Sequence, residues 1–124
     1  MSATFGTRHW PLEIRLKSKD KVIEIDFEDG LTFRLPAELL RVESPSAEVM
    51  GHAPDQKQIV AGRRHVGIIG VDPVGNYAIR IRFDDLHDTG IYSWSYLREL
   101  GERLDDLWQA YLAALAKRGL SRDP

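Results

Sequence analysis

The chain has no cysteine among its 124 residues, which excludes disulfides, thiolate nucleophiles and every cysteine-ligated metal or cluster site at once. No apolar run approaches the roughly 18 residues that a membrane-spanning helix needs. Met1 to Thr7 show no basic-then-apolar export pattern, so the cytoplasm is the expected location. A net charge of -2 and a pI near 6.1 provide no general attraction to polyanions, which argues against nucleic acid as a partner. Arg63-Arg64 and Lys117-Arg118 read as solvated surface charge. A Gly-Lys-Ser/Thr phosphate loop, a Gly-x-Ser-x-Gly elbow and a dinucleotide fingerprint are also missing.

What is present suffices for one core. Hydrophobic residues make up 43% of the chain, and a domain near this length buries roughly two-thirds of its unfolded surface. The expected division is a flexible N-terminus over 1–9, a single domain over 10–118 and a frayed tail over 119–124. Leu12 to Leu16 alternates apolar and charged residues, Lys17 to Lys21 is a polar turn, and Val22 to Phe27 alternates again, which predicts two paired strands. Glu28-Asp29-Gly30 predicts a second turn and Leu31 to Leu35 a third strand, with Pro36 opening a short helix through Arg41. From Val42 to Arg64 apolar residues are sparse and no period holds, so a long surface loop is expected there.

Gly75-Asn76 separates Ile68-Ile69-Gly70-Val71 from Tyr77 to Phe83, the signature of a two-residue hairpin turn. In the second run Tyr77, Ile79, Ile81 and Phe83 share one face and Arg80 and Arg82 the other. Ser93 is a plausible helix cap, and Leu97, Leu100, Leu104, Leu107, Trp108, Tyr111, Leu112 and Leu115 then recur at helical spacing. Gly101 should bend or split that helix, and Gly119 suits its end. The expected fold is α+β: a small antiparallel sheet of meander and hairpin strands packed against a C-terminal helical layer. Phe27-Glu28-Asp29 and Phe83-Asp84-Asp85 form a weak echo between the halves, explained most simply by similar turns needing similar residues.

Trp10-Pro11-Leu12-Glu13-Ile14, Leu35 to Arg41, Ser44 to Val49 and the stretch from Val74 to Trp94 together resemble the γ-butyrobetaine-hydroxylase-like N-terminal domain family, over roughly Trp10 to Leu112. In the hydroxylases this module precedes an oxygenase domain that carries the iron, and elsewhere it is appended to nucleotide-binding carriers of iron–sulfur clusters. The chain looks like the small bacterial proteins that consist of the module alone. The hydroxylase version holds a structural zinc with three cysteines and one later histidine; by that resemblance Ser44, Ser46 and Val49 stand at the cysteine positions and His87 at the histidine. Structural zinc takes four donors, and neither hydroxyls nor valine replace thiolates. No zinc and no other cofactor is expected, the loop being held instead by packing of Pro45, Val49 and Met50 and by hydrogen bonds from Ser44 or Ser46.

His87 and Asp88 form a candidate polar site, which His52 and His65 could join as metal ligands, although their separations match no recognised spacing. His9 reads as an exposed terminal residue. Asp88-Thr89-Gly90 spells the aspartic-protease triplet, but the helical sequence that follows is wrong for that fold. Tyr92, Trp94, Tyr96, Trp108 and Tyr111 gather near the last helix in greater number than one narrow stripe needs. They are either core or, with Arg80, Arg82 and Arg98 as a polar rim, a partner groove. The expected function is thus a non-catalytic protein-interaction module, a monomer or weak homodimer with another protein as partner, by resemblance one linked to iron or iron–sulfur proteins. The rival is a metal-binding or enzymatic protein built on His87, Asp88 and the loop histidines.

Overall fold

The computed structural model describes residues 9 to 124; apart from residue 9, the expected N-terminal segment lies outside the described residues. Strands β1 (Pro11–Lys17), β2 (Val22–Phe27) and β3 (Thr32–Pro36) form one antiparallel sheet, and β4 (Ile68–Val74), β5 (Ala78–Phe83) and β6 (Ile91–Ser93) form another. The antiparallel strands and the C-terminal helices are as expected, but the strands divide into two sheets instead of one. The chain after β3 turns into α1 (Ala37–Val42) and α2 (Ala47–Met50), so β3 never pairs with β4. Each half is a three-strand meander that ends in a helix, and the echo between the halves is therefore architectural.

Period-two patterning sets the inner faces. Ile23, Ile25 and Phe27 on β2 and Ile79, Ile81 and Phe83 on β5 turn inward and share one core with Leu35, Leu40, Tyr92, Leu97 and Leu100. Burial of each such side chain stabilises by about 1.5–3 kcal/mol. The β4–β5 turn has three residues, not two, because Val74 pairs with Ala78. Tyr77 therefore belongs to the turn and is exposed. Its ring covers Gly75, where a Cβ would lie 2.9 Å from it and where φ is +54°.

The stretch from Val42 to Arg64 is more ordered than its composition predicts. It contains α2 and a short 3-10 turn at Pro54–Gln56, and Ile59, Val60 and Ala61 pack on Val42, Tyr111 and Leu115 in a second, smaller core. Ahead of it, all six residues of α1 are buried, including Glu38 and Arg41. Ser93 caps α3 (Trp94–Glu102), its Oγ accepting the Tyr96 N–H at 3.1 Å. A break at Arg103 separates α3 from α4 (Leu104–Lys117). Gly101 sits inside α3 and is required by contact: a Cβ there would lie 2.6 Å from the Phe33 ring.

The terminal residues are not frayed. After Gly119 closes α4, the Gly62 and Arg64 N–H groups donate to the Ser121 and Arg122 carbonyls, both at 3.0 Å. Arg122 donates twice to buried Glu38, at 2.9 and 2.7 Å, and its guanidinium lies 4.9 Å from the Trp108 ring centroid. A buried carboxylate needs such a partner, so the tail completes the fold.

Candidate functional site

A polar cluster forms at the turn after β5, and of the residues singled out from the sequence it brings together His87, Ser44 and Ser46. The Phe83 N–H donates to the His87 carbonyl at 3.0 Å and the Leu86 N–H to the Phe83 carbonyl at 3.1 Å. Asp85 Oδ1 accepts the His87 N–H at 3.1 Å, while its Oδ2 takes the Nε–H of Arg41 and of Arg63, each at 2.8 Å. Burial alone would raise the Asp85 carboxyl, but the His87 N–H and the two arginines outweigh it and hold the pKa below the usual range.

The His87 ring is buried. Its Nε2 lies 2.9 Å from Ser44 Oγ and 3.3 Å from Ser46 Oγ, and the two hydroxyls are 3.3 Å apart. Three of the four positions that the resemblance assigns to zinc ligands thus converge in one hydrogen-bonded corner. The fourth, Val49, is buried on α2. Gly90 admits the corner, since a Cβ there would meet Ser44 Oγ at 2.5 Å. Burial, and then the charge of Arg41, lowers the pKa of His87, so the imidazole is neutral in the fold at pH 7.

A serine hydroxyl beside an imidazole is the geometry of an activated nucleophile, but Ser44 has 0% of its surface exposed. The hydroxyl is closed off from solvent in this structure. The rest of the candidate polar site does not assemble around His87. Asp88 is exposed, exposed His52 donates its N–H to Gln56 Oε1, and the His65 carbonyl accepts from Lys21 Nζ. Among the described residues no three His, Asp or Glu side chains are grouped to hold a metal ion. His9 Nδ1 lies 3.6 Å from Asp29.

Of the two readings of the aromatic cluster, burial favours core over a partner groove: Tyr92, Trp94 and Tyr111 are buried, and Tyr96 and Trp108 are half-buried. Tyr92 is fully buried and its hydroxyl donates to the Leu40 carbonyl; the Tyr96 hydroxyl donates to the Glu43 carbonyl. Both satisfy carbonyls that the end of α1 would otherwise leave orphaned. Trp94, 9% exposed, donates Nε1–H to the Asn76 carbonyl at 2.8 Å, and Tyr111 donates to the Val60 carbonyl. Half-buried Trp108 lies under Arg122. Arg98 is no rim either. Its guanidinium donates to both oxygens of Asp29, at 3.1 and 2.8 Å, and to Glu102 at 2.8 Å, while lying 5.0 and 5.1 Å from the Phe27 and Phe33 rings.

Arg80 and Arg82 do reach the surface, on the outer face of the second sheet. They share one acceptor, Asp72 Oδ2, at 3.1 and 2.9 Å. Ile91, 47% exposed, pairs in register with Arg80, and Ile69, 57% exposed, occupies the bulge beside Gly70. The outer face of the first sheet differs, because its charges satisfy one another: Arg15 bonds Glu13, Glu24 and Asp26, and Arg34 bonds Glu24. The sequence reading does not single out Arg41, Asp85, Ile69 or Leu86. The one signal that pointed to their turn was the repeated Phe-acid-Asp.

Among the described residues no helix is long and apolar enough to cross a membrane. Fold and corner define a small α+β domain in which Ser44, Ser46 and His87 are buried, while Asp85 and Arg63, at the other end of the polar cluster, line a shallow surface cavity with Gly62, His65, Val66, Asp84 and Pro124. The chain belongs to the gamma-butyrobetaine hydroxylase-like N-terminal family, whose sequence profile matches residues 14–98. Two solution NMR structures are similar to it. One is 46% identical with a TM-score of 0.81, covering 94% of this chain and 91% of that one. The other is 44% identical with a TM-score of 0.83, covering 100% and 92%. A crystal structure of a DUF971-family protein of unknown function from Acidithiobacillus ferrooxidans is 47% identical over 73% of this chain and 91% of that one, with a TM-score of 0.63. No curated protein matches.

Proposed function

We propose that the chain is a non-catalytic, cytoplasmic docking module that binds another protein through the outer face of its second sheet. The observation that carries this reading is the contrast between the two outer faces. The first is closed by its own ion pairs, whereas the second offers two arginines to a single carboxylate, with exposed Ile69 and Ile91 beside them. Arginine among aliphatic side chains is the composition that protein interfaces favour over ordinary surface. The spare guanidinium donors suit a partner that is acidic and partly apolar. The family resemblance makes proteins that handle iron or iron–sulfur clusters the first partners to examine.

A photo-crosslinking residue in place of Ile91, with a second in place of Arg34 as control, tests this in cells. The expected result is a discrete adduct from position 91 alone, whose protein binds the purified domain and loses that binding with Arg80→Glu/Arg82→Glu. Equal labelling from both faces, or binding indifferent to the charge reversal, would refute it.

A further inference from the structure

The turns Phe27 to Leu31 and Phe83 to His87 are one design built twice. In each, the N–H of the first residue donates to the carbonyl of the fifth, at 2.9 and 3.0 Å, and the N–H of the fourth donates to the carbonyl of the first, at 3.0 and 3.1 Å. In each, the third residue is an aspartate that accepts the N–H of the fifth, at 3.4 and 3.1 Å. That aspartate is then held by arginine from elsewhere in the fold, Arg98 for Asp29 and Arg41 with Arg63 for Asp85. The fourth residue is left-handed in both, with φ of +91° at Gly30 and +74° at Leu86.

Only the choice of residue differs. Glycine takes this conformation without strain, and an L side chain does not. The first turn uses glycine; the second uses a leucine that is 83% exposed, the highest value among the exposed large apolar residues described. Burial does not repay the leucine and the backbone disfavours it, so the fold itself has no use for it. What surrounds it is acidic. Asp84 and Asp88 are exposed and have no salt-bridge partner among the described residues. Glu48 stands beside them, accepting the Thr89 hydroxyl. Beneath the turn, the His87 ring and the Asp85 carboxylate tie it to Ser44, Ser46, Arg41 and Arg63, so the leucine is presented on a braced support and little ordering remains to be done on binding.

We propose that Leu86 is an anchor for a partner protein, entering an apolar socket rimmed by lysine or arginine side chains. Desolvation of the leucine would supply attraction at the centre, and Asp84, Asp88 and Glu48 would complement the basic rim. The proposal shares the docking role argued above but uses a different surface, so the two can fail separately.

The test begins with a photo-crosslinking residue at position 86 of the whole chain in cells and identifies the adduct by mass spectrometry. The adduct protein is then purified and titrated with the parent domain, with Leu86→Asn, with Leu86→Gly, with Asp84→Lys/Asp88→Lys, and with Arg80→Glu/Arg82→Glu. The proposal expects affinity to fall at least tenfold for both Leu86 variants and for the Asp84/Asp88 reversal, and parent binding to weaken as salt rises. It also expects Leu86→Asn to melt at or above the parent's temperature. Loss confined to Arg80→Glu/Arg82→Glu would leave the sheet face standing and overturn the Leu86 anchor. So would the absence of a discrete adduct, an adduct consisting of a second copy of this chain, or a clear fall in melting temperature for Leu86→Asn.

Discussion

Restoring three thiols should turn the polar corner into a zinc site. In the variant Ser44→Cys/Ser46→Cys/Val49→Cys the fourth ligand is already in position, since His87 Nε2 lies 2.9 and 3.3 Å from the two serine hydroxyls. In a tetrahedral site with arms of about 2.0 to 2.3 Å, neighbouring donors stand roughly 3.5 Å apart, so the His87–Ser44 pair must widen by about 0.6 Å and a thiol at position 49 must turn toward the corner from α2. Without metal the variant loses the buried hydroxyl bonds to His87, at about 1–3 kcal/mol. With free zinc at a hundredfold excess over Kd, binding stabilises the folded state by about 2.7 kcal/mol. For a domain of this size that raises Tm by about 10 °C. Elemental analysis should give one zinc per chain for the variant, and thermal melts with zinc and with chelator should separate by that amount, while melts of the parent should coincide. His87→Ala in the cysteine background should abolish the separation. A folded variant that takes up no stoichiometric zinc would show that position 49 does not reach the corner formed by the other three.

His87 also makes stability depend on pH. Burial lowers its pKa in the folded state, so the unfolded chain protonates first as pH falls, and the stability contributed by the neutral ring is complete above the ordinary pKa near 6.5 and declines below it. Urea midpoints should drop between about pH 7 and pH 5 and the slope should flatten in His87→Gln; a parent midpoint that rises over that range would contradict the assignment. Trp94→Ala should cost ~3 to 5 kcal/mol by denaturant unfolding, because it empties a buried site and frees the Asn76 carbonyl. A loss below about 1 kcal/mol would return Trp94 to the surface. Gly101→Ala sets about 1 kcal/mol of helix propensity against about 1–3 kcal/mol of overpacking on Phe33, a ring held between Phe27 and Arg98. Net destabilisation is expected, reversed in a Phe33→Ala background; a double-mutant cycle reads both.

The strands, the Ser93 cap and the helical stripe were legible because each rests on local periodicity. The division into two sheets was not, because it depends on the burial of α1, whose charges are neutralised by residues far along the chain: Glu38 by Arg122, 84 positions on, and Arg41 by Asp85, 44 positions on. The aromatic surplus near the last helix leaves core and partner groove both open in the sequence for a related reason. Tyr92 and Tyr96 direct their hydroxyls to carbonyls 52 and 53 residues earlier, and no local pattern announces such a pairing. The convergence of Ser44, Ser46 and His87 was foreshadowed by the family resemblance alone; in isolation a buried histidine among serines has no motif. Leu86 was passed over because an exposed leucine in a turn is unremarkable until its backbone angle is known.

Among the described residues strand pairing joins only consecutive strands, and this bears on how the chain finds its fold. Each ladder closes a short connection, for which the entropy of loop closure is small, and chains dominated by such near contacts fold quickly. Either meander can form before the other exists. Among the described residues, the ion pairs spanning the greatest distances along the chain fasten α3 and the C-terminal residues to the first half, Arg98 to Asp29 at 69 positions and Arg122 to Glu38 at 84. If these form after the barrier has been crossed, removing either arginine should hasten unfolding and leave the folding rate nearly untouched. The chain would then assemble by its hairpins and persist by its two clasps.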